Sequence, residues 1–392
     1  MLKVKRIFGI GSCAILIILL ITGCKRKTLE LISNYAICEG ILGGKTYSDS
    51  GIISYERGIA SYLDFETGIT MPMCTKLNCV HEGRNLYNLI PMCNAYLGEQ
   101  AHCAAVIGDS LYYVTVPDDG DYRIKEFYKA KPDGTDRELL YKKEETEIFN
   151  YGAYENEFMI YIYYNQTDSM GIELKKHKMG IYLLDLKNNN MISIPINDEF
   201  GGKVLVATVK DNVLYYMKTY FTENINDLDY GYLSTEEGLE YIESIRRTEI
   251  WGYDLESGED ELIDVCETGN STYMLGYGYL LSGYNDNATM TLLELGTDKA
   301  YNVKGDGLKN SNICLSDGGV LFCNDGVINF WRYGSDEIEN IGSFKEKIKS
   351  FVFSGSRRII GVMEKDGEYK RFYCLKEDLL NGTLNYKIID VR

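Results

Sequence analysis

The chain contains no Gly-x-Ser-x-Gly elbow, no phosphate-binding loop and no His-Glu-x-x-His helix. Those absences remove the sequence signatures of α/β-hydrolases, P-loop enzymes and zincins, whose chemistry needs those residues at those spacings. Histidine is scarce: there are three in 392 residues, and His81 and His102 fall in one cysteine-rich stretch. A Ser-His-Asp centre has little imidazole to draw on. Basic residues are outnumbered, 41 Lys and Arg against 58 Asp and Glu. A chain of that sign is repelled by nucleic acid, anionic lipid heads and wall polymers, which excludes nucleic acid as a partner.

What is present begins at the N-terminus. Lys3, Lys5 and Arg6 precede an uncharged apolar run from Ile7 to Ile21, and Ile21-Thr22-Gly23-Cys24 follows. The run is short for a membrane span of about 20 residues. The order of basic start, apolar run, small residues and cysteine resembles a bacterial lipoprotein signal. That resemblance implies removal of residues 1–23, a diacylglycerol on the Cys24 thiol, a lipidated tether over 24–33 and a folded domain over 34–392. The expected address is the extracytoplasmic face of the cell membrane, with the bilayer as a partner through acylated Cys24, since two acyl chains suffice for stable anchoring. Loss of residues 1–23 removes three positive charges and no negative ones from a formal −17, leaving −20.

Beyond the tether one unit recurs. Its clearest copy is Trp251-Gly252-Tyr253-Asp254-Leu255-Glu256-Ser257-Gly258, an alternating strand running into turn chemistry. The position of Asp254 recurs at 64, 130, 185, 294, 332 and 374, and 254, 294, 332 and 374 lie 40, 38 and 42 residues apart. Most copies follow an aromatic-rich strand such as Leu111-Tyr112-Tyr113-Val114 or Val213-Leu214-Tyr215-Tyr216-Met217. About 40 residues carrying four short strands is the period of one propeller blade. Seven copies predict an all-β, seven-bladed β-propeller. Longer gaps early in the chain predict insertions: a Cys/His-rich one over 74–103 and a helical one over 222–247. In the latter, Ser234 and Glu237 predict a capping box ahead of Leu239, Ile242 and Ile245. Asn381-Gly382 predicts a hairpin, and Leu384–Ile389 a strand that closes the ring against the N-terminal region. The 33 tyrosines suit half-buried strands.

The densest chemistry is Cys74-Thr75-Lys76-Leu77-Asn78-Cys79-Val80-His81, followed by Cys93-Asn94-Ala95 and His102-Cys103. Two uses fit these residues. Cys74, Cys79, His81 and Cys93 make a complete tetrahedral set for a structural zinc. Alternatively the cysteines pair as disulfides that pin the loop. His102 and Cys103 are additional candidates, while Cys38, Cys266, Cys314, Cys323 and Cys374 read as small core residues. A full set of protein ligands leaves no open coordination position, which argues against a catalytic metal.

The hairpin from Tyr62 to Gly68, the cysteine stretch and Cys93-Asn94-Ala95 together resemble a family of propeller lipoproteins of clostridia and related Firmicutes. Those proteins carry Cys-x-Lys-Pro-x-Cys-x-His and then Cys-Asn-Ala. This chain has Leu77 in place of the proline and a longer insertion, Glu82 to Met92. The resemblance spans signal, cysteine motif and repeats. It implies an architecture and an address, and an anaerobic setting that weakens the case for disulfides. The resulting expectation is a non-enzymatic binding module for a peptide, glycan or partner protein. The alternative is a propeller glycan hydrolase or lyase using buried carboxylates, which would show as converging carboxylates about 5 to 9 Å apart.

Overall fold

The computed structural model describes residues 35–389, apart from 40–44, 57, 82–92, 99–100, 118–123, 145–146, 156, 166–177, 197–201, 225–229, 234, 267–270, 285–288, 306–307 and 309–310. The signal segment, Cys24, the tether, His177 and Ser234 therefore lie outside the described residues.

After a first strand β1 (Tyr35–Glu39), the strands fall into seven antiparallel groups of four. Blade 1 is β2–β5 (Lys45–Ser48, Gly51–Glu56, Ile59–Asp64, Thr70–Pro72) and blade 2 is β6–β9 (His102–Ile107, Ser110–Thr115, Ile124–Ala130, Glu138–Glu144). Blade 3 is β10–β13 (Glu147–Glu155, Phe158–Asn165, Lys178–Asp185, Asn190–Ile196) and blade 4 is β14–β17 (Gly202–Lys210, Val213–Phe221, Arg246–Asp254, Asp260–Cys266). Blade 5 is β18–β21 (Ser271–Gly276, Tyr279–Tyr284, Thr289–Glu294, Ala300–Lys304) and blade 6 is β22–β25 (Asn312–Ser316, Gly319–Asn324, Val327–Arg332, Ile338–Ser343). Blade 7 is β26–β29 (Lys347–Ser354, Arg358–Lys365, Glu368–Leu375, Tyr386–Ile388).

The recurring aspartate has a local cause. At the end of β16 the Asp254 carboxylate accepts the backbone N–H groups of Glu256 (2.9 Å) and Ser257 (2.7 Å), and Gly258 completes the turn at φ 76°. Those N–H groups, Ser257 first, hold the Asp254 carboxyl below its ordinary value. Asp64 and Asp185 do the same for Glu66 and Lys187, at 2.7 and 2.8 Å.

Alternation along these strands serves two cores rather than one. Ile250 packs with Leu275, Leu280 and Leu295 of blade 5, whereas Trp251 and Tyr253 pack against blade 3. Each blade is thus covered on both faces, and the hydrophobic clusters map one to each seam, including the seam between blades 7 and 1. Aromatic pairs cross the seams: Phe127 on Tyr161, Tyr279 on Tyr333 and Phe65 on Tyr373, with centroids 5.2, 3.9 and 4.2 Å apart. Cys266, Cys314, Cys323 and Cys374 are buried in these seams. Burial pushes the thiols of Cys266, Cys314 and Cys374 up to about 12.

The chain end meets the N-terminal region as the sequence predicts, by packing rather than by strand pairing. β29 pairs with β28 of its own blade, and among the described residues no blade mixes strands from the two ends of the chain. The ring is shut by packing of Tyr47, Ile52 and Phe65 against Phe353, Ile360, Tyr373 and Ile389. Asp49 reinforces that seam: its carboxylate accepts the N–H groups of Ser356, Arg357 and Arg358 and the Ser356 hydroxyl, at 2.7–3.0 Å. Between blades 6 and 7, the buried Lys376 ammonium donates to the carbonyls of Asp317 and Gly355. The first strand takes a separate role. β1 pairs with β2 on one side and with β10 on the other, joining blades 1 and 3 into one nine-stranded sheet.

Among the described residues three short helices interrupt the strands: α1 (Tyr230–Leu233), α2 (Glu236–Ile245) and α3 (Lys376–Leu380). The cap of α2 is Thr235, not Ser234: the Thr235 hydroxyl accepts the Gly238 N–H at 3.1 Å. Of the three apolar positions, Ile245 is buried and Leu239 is 56% exposed. Replacing Thr235 with Ala should cost about 1 kcal/mol, read as a lower urea midpoint at unchanged m. Among the described residues no helix is long and apolar enough to cross a membrane.

Because each blade runs antiparallel in chain order, its connections alternate between two faces. The turns from first to second and from third to fourth strand share one face, and on it the longest connection is 376–385. The other face carries 73–101 between blades 1 and 2 and 222–245 within blade 4.

Candidate metal centre

The Cys/His loop leaves the outer strand of blade 1. Met73 is buried and donates its N–H to Ala60 O (2.9 Å), and the Cys74 N–H bonds back to Pro72 O (2.8 Å). Asn78 and His81 then take left-handed backbone, at φ 54° and 52°. Asn and His tolerate that region better than most residues, and two such positions within four residues curl the chain on itself. Leu77 sits at the tip, 90% exposed.

Cys93 arrives from the other side in a turn closed by Tyr96 N–H to Cys93 O (3.1 Å). That turn lies on the first residues of β4: Ala60 N–H donates to Ala95 O, Leu97 N–H to Gly58 O, both at 2.8 Å, and Ile59 bridges Tyr96. The result brings Cys74, Cys79, His81 and Cys93 together, with one ligand atom from each lying within 4.8 Å of all the others. Cys93 Sγ is 3.7 Å from His81 Nδ1. For a tetrahedral zinc with ordinary bond lengths, neighbouring donors stand about 3.6–3.8 Å apart.

The electrostatics suit thiolates at one corner. Burial raises the Cys74 thiol, but the backbone N–H groups of Lys76 and Asn94 and the thiols of Cys93 and Cys79 outweigh it and bring it below its ordinary value. Burial pushes Cys93 up to about 12, so that thiol ionises only against a cation. No disulfide joins cysteines among the described residues. Pairing any two of Cys74, Cys79 and Cys93 would strand the third thiol and leave His81 without a role, whereas a metal uses all four donors.

Cys103 is not part of this group. It lies in the seam between blades 2 and 3, with Tyr112, Val114, Phe127 and Tyr161, whereas Cys93 packs in the seam between blades 1 and 2. The structure places His102 at the start of β6 and describes its backbone alone.

Blade 2 grips the loop from outside, a feature the sequence reading missed. Arg137 donates to Asn94 O and Tyr96 O, both at 2.6 Å, and to Gly134 O at 2.9 Å. Gly134, at φ 74°, lies so close to the Asn94 carbonyl that no Cβ fits. Asp133 accepts the Thr75 hydroxyl at 2.5 Å and the Thr135 hydroxyl at 2.6 Å. The sequence signal for this grip is the Asp133-Gly134 pair in the turn that follows the repeat position at 130.

Burial raises the Asp133 carboxyl, but the hydrogen bonds from Thr135 and Thr75 outweigh it and leave it below its ordinary value. A carboxyl depressed in the folded state stabilises above its unfolded value of about 3.9 and loses that contribution as pH falls through the lower folded value. The midpoint difference between wild type and Asp133→Asn, present at pH 7, should therefore shrink as pH drops towards 3, measured by thermal unfolding across that range.

Beside the loop, a cavity of about 230 Å³ is lined by Tyr96, Tyr113, Tyr128, Glu126, Arg137 and neighbouring backbone. Its single carboxylate, Glu126, accepts the Tyr128 hydroxyl at 2.8 Å and faces Lys142 at 3.9 Å. The Arg137 guanidinium lies over the Tyr113 ring, 6.0 Å from its centroid. One carboxylate beside a guanidinium is not the pair that glycoside hydrolysis needs.

No family model matches the chain, and no curated protein matches it. Solved structures do. The β-propeller domain of the Trilobed protease from Pyrococcus furiosus, described as having an open velcro topology, is 9% identical, with 91% of this chain and 96% of that one covered at a TM-score of 0.46. The acylaminoacyl peptidase of Pyrococcus horikoshii is 9% identical over 92% of this chain and 53% of its own, with a TM-score of 0.49. Dipeptidyl peptidase 4 of Porphyromonas gingivalis is 6% identical over 95% of this chain and 55% of its own, with a TM-score of 0.48. The chain spans about half the length of these two peptidases. Likeness at this level concerns the fold alone, and the strand order makes the chain a seven-bladed β-propeller.

Proposed function

We propose that the chain is an extracytoplasmic lipoprotein, held to the cell membrane by acylated Cys24, whose propeller is a non-enzymatic binding module for a peptide, glycan or partner protein. On this reading it belongs with the clostridial propeller lipoproteins that its cysteine motif resembles. Cys74, Cys79, His81 and Cys93 hold a structural zinc that clamps the linker between blades 1 and 2. One observation carries the reading of this site as scaffold: three thiols and an imidazole converge within 4.8 Å in an interblade seam. Four protein donors fill a tetrahedral metal and leave no position for substrate. The zinc would supply cross-linking rather than Lewis-acid chemistry.

Two measurements test the proposal. Labelled palmitate should enter the full chain expressed in a Gram-positive host, and Cys24→Ala should abolish the label and release the protein to the medium. Label on the Cys24→Ala chain, or none on the parent, refutes the anchor. Incubation of the purified protein with cell-wall and capsular polysaccharides should liberate no reducing ends or unsaturated products; release of either establishes the hydrolase or lyase instead.

A further inference from the structure

The register of β1 fixes which face of the propeller the anchor enters. Ala36 lies opposite Ser48, and Tyr35 opposite Glu155. Ser48 ends β2 and Glu155 ends β10, so both partners sit where the first strand of a blade turns into the second. At its other end, Glu39 lies opposite Lys45, the start of β2. β1 therefore begins at the face of tight turns and runs towards the face that carries the two large connections. Pairing on both sides leaves no freedom to reverse it, because reversal would break two ladders of backbone hydrogen bonds at once.

From this geometry we infer that the anchored propeller stands with its tight-turn face towards the bilayer and its insert-bearing face outward. The inference rests on the reading of Cys24 as the site of lipid attachment. Eleven residues, 24–34, separate that thiol from Tyr35, and a chain of that length spans at most about 40 Å. A strand of nine residues, such as β14 or β15, adds about 30 Å between the two faces. The Cys/His loop with Leu77 and Val80, the helix α2 and Tyr369 at the start of β28 all belong to the outward face. The turns at 255–259 and 333–337 belong to the membrane side. Lipid headgroups then face the turns between first and second and between third and fourth strands, the longest of them 376–385.

Energy transfer from the protein to acceptor lipids tests the orientation. Azidophenylalanine is placed singly at Glu256 or Asp336 on the tight-turn face, and at Glu240 or Tyr369 on the insert-bearing face. All four are exposed, and each is coupled to one donor dye. The full-length acylated chain is reconstituted into vesicles containing acceptor-labelled lipid. In parallel, a Cys24→Ser chain carrying a hexahistidine tag in place of residues 1–23 is bound to nickel-chelating vesicles. In both, transfer from Glu256 and Asp336 should exceed transfer from Glu240 and Tyr369 at least twofold. Equal transfer from all four positions, or the reverse order, overturns the inference. Failure of the native chain to enter vesicles refutes the lipid anchor, while the tagged chain still reports the orientation.

Discussion

Serine at position 79 is expected to strip the protein of metal. The mature protein, purified without chelators, should carry about one zinc per chain, and Cys79→Ser less than a tenth of that by elemental analysis. The physical reason is the donor set: with three thiols and one imidazole converged, loss of one thiolate leaves a three-ligand site. Structural zinc is worth about 10–16 kcal/mol in small zinc-finger peptides, where metal is most of the fold. Here the packed seam around Ala60, Tyr96 and Tyr113 contributes stability of its own. A loss of about 3–5 kcal/mol is therefore expected, appearing as a thermal midpoint lower by on the order of 10 °C. Addition of a chelator should reproduce that fall in the wild type and change nothing in the variant. A wild type that binds no zinc and shows two fewer titratable thiols before reduction than after would establish a disulfide in this loop.

Asp49→Ala is expected to open the ring at one seam. Six of the seven seams are crossed by a connection of the chain itself; the seam between blades 7 and 1 is not, because each terminal blade completes its own four strands. That seam relies on the packing around Tyr47, Phe65 and Tyr373 and on one carboxylate that accepts four hydrogen bonds from Ser356, Arg357 and Arg358. Hydrogen bonds to a charged acceptor contribute about 1.5–3 kcal/mol each when buried and less when water competes. Asp49 is half-exposed, so the substitution should cost about 2–4 kcal/mol in all. Native-state hydrogen exchange should show faster exchange in β2 and β26, with β14 and β18, on the far side of the ring, unchanged. Equal acceleration in every blade would mean that the ring opens only as a whole.

The residues that announced the fold do so because their task is local. Asp64, Asp185 and Asp254 each cap their own hairpin within three residues, so the same letter recurs at three of the seven blade turns. The Cys/His ligands were legible for a similar reason: three lie within eight residues, and their chemistry is rare elsewhere in the chain. What stayed hidden depends on partners far away in sequence. Asp49 reads as one more turn residue between Ser48 and Gly51, yet its hydrogen bonds reach more than 300 residues along the chain. The segment Tyr-Ala-Ile-Cys-Glu carries no mark that it will pair with both Lys45–Ser48 and Gly152–Glu155. The alternation of Trp251 and Tyr253 with Ile250 does not disclose that both faces are covered, because a blade has neighbours on both sides. The cap at Thr235 was placed one residue early because serine and threonine stand side by side and either hydroxyl can accept a helix N–H.

X-ray absorption at the zinc edge, on mature protein purified without chelators, tests the central claim about the site most directly. The account predicts a stoichiometric zinc with three sulfur neighbours at about 2.3 Å and one nitrogen at about 2.0 Å. Protein that carries no zinc, or zinc surrounded by oxygen, would contradict it.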